Sequence, residues 1–175
     1  MKIITQIEEQ AKRILLDCGA FCLPIPVEKV AEYLGLKIEK SVMDSKMSGV
    51  LVVENRRGAI ACNQSHAHVR QRFTIGHEIG HFILHVNKST QSRLFIDQYV
   101  AYRRNDQSSG INDVEEGQAN AFSAALLMPA DLVMEEIIKN DYDLDDEEDQ
   151  KALAKRFNVS APAMSIRLVH LGLLR

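Results

Sequence analysis

The chain has no tryptophan, only three cysteines and four prolines, and an aromatic share of 6%. Three thiols, Cys18, Cys22 and Cys62, are too few and odd in number for a disulfide framework, which excludes the small secreted scaffolds that depend on one. Reduced thiols, mostly buried as small hydrophobes, are the expectation. No apolar run approaches the roughly 20 residues that span a bilayer. Met1 and Lys2 lead directly into an amphipathic pattern instead of a signal peptide's apolar stretch, so an unexported, cytoplasmic protein is expected. Charge of one sign is also lacking. The net charge is -3 and the basic residues are scattered, so no long-range field draws the molecule onto nucleic acid or an anionic membrane. Internal repeats and low-complexity tracts are absent. What remains is a chain of 175 residues with 46% apolar content, enough for one ordinary domain with a core of its own.

Apolar residues at Ile3, Ile7, Ala11, Ile14 and Leu15 mark a first helix that stops at Gly19. Pro24 and Pro26 force an extended entry to a second, over Val27–Leu34, closed by Gly35. Leu36–Ile38, Gly49–Val53 and Ala59–Cys62 read as strands of a small, mainly antiparallel sheet, the last two joined by a polar turn at Asn55–Gly58. Helical periodicity returns over Ala67–His85 and again over Asp113–Met128, where Pro129 ends it. Between them Val86–Asn112 is long for a connection inside a compact domain, a length associated with functional or mobile loops, and Leu94–Tyr102 within it is a candidate strand. Further helices follow at Leu132–Lys139, Lys151–Phe157 and Ala161–Leu171. The acidic run Asp141–Asp149 reads as a solvated linker and helix start, because the glycine and terminal glutamate of a calcium loop are missing.

Chemistry concentrates in His77-Glu78-Ile79-Gly80-His81, a His-Glu-x-x-His pattern inside a segment independently read as helix. Side chains four apart on a helix rise about 6 Å and differ by about 40° around the axis, so both imidazoles can reach one ion. Zinc suits such nitrogen ligands with one carboxylate and an open place for water, on which the neighbouring Glu78 would act as base. Gly76 and Gly80 cost about 1 kcal/mol each inside a helix relative to alanine, which points to something packed closely on that face. The third ligand must come from elsewhere. His85 lies about 12 Å along a continuous helix from His77 and cannot share its ion. Glycine and a third histidine do not follow at the offsets of the metzincin pattern, where Ile83 and Asn87 stand instead. Glu115 and Glu116 begin the next strong helix, and Glu116 is preferred because Asn120, one turn on, can orient a ligand histidine from outside the metal. Oxyanion or substrate contacts have candidates in Tyr99, Tyr102, Arg103 and His68. His66 and His170 carry no motif; for His85, support of the metal group and simple satisfaction at a helix end both remain open.

Two blocks, Arg70–His85 and Glu116–Pro129, together resemble the ImmA/IrrE family of metallopeptidases. The second block departs at Gln118 and Ser123 from the family's usual Glu-x-Glu-Ala-Asn-x-Phe-Ala-Ala-x-Leu-Leu-Met-Pro, touching no proposed ligand. The resemblance implies an α+β fold with a zincin-like, gluzincin-type core: a small twisted sheet beside the metal helix, and Glu116 as third ligand on the next helix. It also implies one zinc ion and cleavage, inside the cell, of helix-turn-helix repressors of phages, mobile elements or stress regulons. Residues 1–140 are then the metallopeptidase domain, and 141–175 a helical C-terminal segment packed on it. An extended substrate could add to Gly49–Val53 or Ala59–Asn63 as a further strand.

Two other readings compete. Ala152–Leu168 has the helix, tight turn, helix pattern of a DNA-binding motif, although its second helix offers only Ser165 and Arg167 to bases and phosphates. Direct nucleic-acid binding is therefore not expected. Alternatively, a structural metal stabilises a module that docks onto a repressor without cutting it.

Overall fold

The computed structural model describes residues 2–54, 57–86, 93–98 and 110–174. Helix α1, Lys2–Asp17, buries Ile7, Ala11, Ile14 and Leu15, while Ile3 at its start stays exposed. Gly19 ends it with a positive φ of 63°, a conformation that costs a residue without Cβ nothing. After α2 (Val27–Tyr33) come β1 (Leu36–Ser41), β2 (Met47–Glu54) and β3 (Arg57–Asn63), then α3 (His68–His81). A π-turn over Phe82–Val86 continues α3. Strand β4 (Arg93–Gln98) begins one residue ahead of the expected Leu94–Tyr102 segment and overlaps it as far as Gln98, the rest of that segment lying outside the described residues, and α4 spans Gly110–Leu127. Helices α5 (Ala130–Asn140), α6 (Glu147–Phe157) and α7 (Ala161–His170) complete the chain. None of the described helices is long and apolar enough to cross a membrane.

The fold is α+β, a small mixed sheet against helices. Strand order is β1-β3-β2-β4; β2 runs antiparallel to both neighbours, but β1 lies parallel to β3. The link after β1 reverses the chain without pairing β2 to β1, and β3 returns antiparallel to β2 to fill the slot between them. Asn63 secures this crossing. Its buried amide nitrogen donates to the carbonyls of Asp44 (3.1 Å) and Met47 (2.8 Å), and its oxygen accepts from Ser65 N at 3.0 Å. Consequently β2 and β3 are both interior strands. The expectation that either could receive a substrate strand is corrected, since neighbours already occupy both edges of each.

The acidic run acts as a helix start: Asp146 caps α6 by accepting from Glu148 N and Asp149 N. Ser160 caps α7 in the same way. Leu153, Phe157, Met164 and Leu168 from these two helices join the same apolar core as Leu15, Phe122 and Leu126. Arg167, expected to face DNA if anything did, is instead 3% exposed. Its guanidinium donates to Met128 O at 2.9 Å and forms a two-pronged ion pair with Glu8 of α1. Ser165 is also engaged, 2.7 Å from Gln150 Oε1 and 3.1 Å from Ala161 O.

Replacing Arg167 by alanine strands the Glu8 carboxylate and the Met128 carbonyl. Breaking a buried pair costs about 3–5 kcal/mol, and the partial solvation of Glu8 places this one near about 3 kcal/mol. Urea unfolding of the variant measures it; a loss under about 1 kcal/mol would make the pair a bystander.

Candidate metal centre

Helices α3 and α4 lie antiparallel and unusually close, for a reason visible in their small residues. A Cβ built on Gly76 would stand 2.6 Å from Ser123 Oγ, and one on Gly80 only 3.0 Å from the Ala119 Cα and 3.2 Å from the Phe122 Cβ. These are the neighbours that the two mid-helix glycines foretold. Ser123 in turn donates from its hydroxyl to the carbonyl of Phe73 at 2.9 Å, tying the helices where they touch.

This approach brings three side chains together. His77 Nε2 and His81 Nε2 are 3.0 Å apart, and the two oxygens of Glu116 lie 3.2 Å and 3.1 Å from them respectively. Among the described residues His77, His81 and Glu116 form a group able to hold a metal ion. Ligands about 2.0–2.1 Å from a tetrahedral ion stand about 3.3 Å from one another, close to these spacings. The donor set also fits a cation electrostatically. Asn120 Oδ1 lies 3.0 Å from His77 Nδ1; as acceptor it keeps the proton on Nδ1 and turns the Nε2 lone pair toward His81. Lone pairs and a carboxylate converging this tightly repel unless positive charge sits between them. Without an ion that positive charge can come only from protons on the two rings; in that state, although partial burial works against it, hydrogen bonds from His77 and His81 and their charge hold the Glu116 carboxyl well below the usual carboxylate range.

The group is asymmetric. Both imidazoles are nearly inaccessible, whereas the Glu116 side chain is 47% exposed, so the centre is rigid behind and open in front. Glu78 occupies the other flank of α3, fully buried against β2. A Cβ on Gly49 would come within 3.1 Å of its Oε1 and 2.4 Å of Thr74 Cγ2, so only glycine lets β2 pass so near this carboxylate. The adjoining irregularity between Met47 and Gly49 is held by Arg70, which donates to Ser48 Oγ at 2.8 Å. Sequence reasoning missed Gly49, Ser48 and Thr74, whose signal is a contact between distant segments.

The remaining candidates are placed as follows. His68 begins α3 and meets Asn158 Nδ2 at 3.4 Å; nine residues before His77, it sits about 13 Å away along the axis and is not brought to the group. Tyr99, Tyr102 and Arg103 lie outside the described residues. His85 is not a member of the group, but its ring centroid is 5.5 Å from that of His81. His66 lies 3.4 Å from Ser45 O, and His170 is exposed.

Two histidines one turn apart, a glutamate between them and a carboxylate from the next helix define a metallopeptidase-type centre. The family model of the IrrE N-terminal-like domain, Peptidase M78, matches residues 31–169, and the chain belongs to that family. No match is found among curated proteins. Family membership supports a metallopeptidase-type function acting on protein.

The close approach is testable. Gly76→Ala gains about 1 kcal/mol of helix propensity yet should destabilise, because its methyl collides with Ser123. Ser123→Ala alone forfeits one hydrogen bond, about 1 kcal/mol. Thermal unfolding of the double variant should recover much of the Gly76→Ala loss, and strictly additive effects would contradict the contact.

Proposed function

We propose that this chain is a zinc-dependent endopeptidase of the cytoplasm, with His77, His81 and Glu116 as ligands of one ion and Glu78 as the catalytic base. The convergence of two Nε2 atoms and a carboxylate within 3.0–3.2 Å, beside a buried glutamate on the same helix, carries the reading. Zinc held by His77, His81 and Glu116 would supply Lewis acidity toward a water and the scissile carbonyl. Glu78 then takes the proton of the attacking water and later delivers it to the leaving amine. Asn120 keeps the His77 ring oriented throughout. Half-exposed Glu116 marks the side from which a peptide arrives.

Of the sheet's two outer strands, β1 and β4, it is β4 that lies beside β2, and an extended substrate would add there. Asp97 of β4 pairs in register with Gly49, the residue that abuts Glu78, so a peptide added to β4 passes at the level of the base. The substrate class follows the family resemblance: a helix-turn-helix repressor of a phage, a mobile element or a stress regulon. Direct DNA binding is disfavoured, because Arg167 and Ser165 are spent on internal partners. A docking module with a structural metal would leave a fully buried carboxylate next in sequence to His77 without a use.

The test uses the zinc-loaded protein and a small repressor encoded beside it. Wild type should release a defined fragment; Glu78→Gln should keep one zinc per chain while cleavage falls about 10²–10⁴-fold, the usual worth of a positioned base. His77→Ala and Glu116→Ala should lose both zinc and cleavage. Cleavage undiminished in Glu78→Gln would overturn the peptidase assignment, and full zinc content in His77→Ala would overturn the ligand set.

A further inference from the structure

We propose that His85 is a positioning residue for the metal group, holding the backbone of α4 so that Glu116 stays within reach of His77 and His81. The inference rests on the reading of that group as a metal site. It starts from the π-turn at Phe82–Val86, a winding that redirects side chains and recurs at functional sites. From this turn the His85 side chain, 6% exposed, reaches across to α4. Its Nε2 lies 3.2 Å from the Glu115 carbonyl oxygen, and its Nδ1 is 4.0 Å from Glu115 Oε1. The Glu115 carbonyl belongs to the peptide plane whose nitrogen is that of Glu116. A donor fixing that oxygen therefore fixes the rigid unit from which the ligand's Cα departs.

The other face of His85 meets the second helix of the site. Its ring is tilted 54° to that of His81, with centroids 5.5 Å apart. One buried imidazole thus touches a metal-group histidine directly and steadies the partner carboxylate through the main chain. Glu116 needs such help more than the histidines do. Its side chain is long and half exposed, and rotamer freedom would otherwise carry it away from a centre that neutral packing does not hold together.

The probe is Co2+ added to metal-free protein, with affinity read by competition against a chelator and geometry read from the visible absorption of the bound ion. His85→Leu and His85→Met both remove the donor, and either serves if the other fails to fold. Each should keep the helical circular dichroism of wild type, yet bind Co2+ about 10–100-fold more weakly, with an altered spectrum. His85→Gln, whose amide can donate to the same carbonyl, should recover most of the affinity and the spectrum. A merely structural residue would lower the melting temperature and leave the affinity and spectrum of the folded protein unchanged. Wild-type affinity and spectrum in the Leu and Met variants, or a Gln variant no better than they are, overturns the proposal alone. Wild-type protein that binds no Co2+, or binding that survives His77→Ala, overturns the metal reading and this inference together.

Discussion

Everything at the centre depends on how near two helices can come. Gly76 and Gly80 remove the side chains that would hold α3 off α4, and Ala119 and Ser123 answer them with the smallest groups available. The helices meet at a distance set by backbone and Cβ atoms, and at that separation Asn120 reaches His77 and Glu116 reaches both His77 and His81. Wider spacing would put the carboxylate out of range of both rings. The helix propensity given up at the two glycines, about 1 kcal/mol each, is offset by the packing they permit.

The two flanks of α3 have different tasks. Toward α4 it presents His77 and His81; toward the sheet it presents Glu78, closed in by β2 at Gly49. Glu78 is adjacent in sequence to His77, yet each is positioned by a different layer of the fold. A helix bearing this motif depends on both layers, because α4 closes on its histidines and β2 on its glutamate.

The parts legible in the sequence were those governed by local periodicity. Helical phase placed His77 and His81 on one face, and Asn120 one turn beyond Glu116 separated it from Glu115. Strand segments were also visible, since alternation is local. Their order was not: a parallel β1–β3 pair depends on where a returning strand finds room, and Asn63, which secures the crossing, looks like any turn residue. The same blindness affected Arg167, whose place in a helix-turn-helix pattern suggested an outward fork until the fold supplied Glu8 from the far end of the chain. His85 was ruled out as a ligand on the assumption of a continuous α-helix, and a π-turn, which periodicity does not reveal, gave it another post.

Arg72 sits in the same helix as His77 and His81, almost wholly enclosed, and its fork grips two distant carbonyls: Ile25 O at 2.8 Å, in the turn before α2, and Asn158 O at 3.1 Å, in the turn before α7. Burial lowers its affinity for the proton and nearby Glu28 partly restores it, so the guanidinium relies on those two oxygens for its solvation. A chain cut short ahead of residue 158 would retain His77, His81 and Glu116 and still take from Arg72, at the root of their helix, one of the two carbonyls that solvate it. Truncations made to isolate the group of His77, His81 and Glu116 would thus weaken it from below.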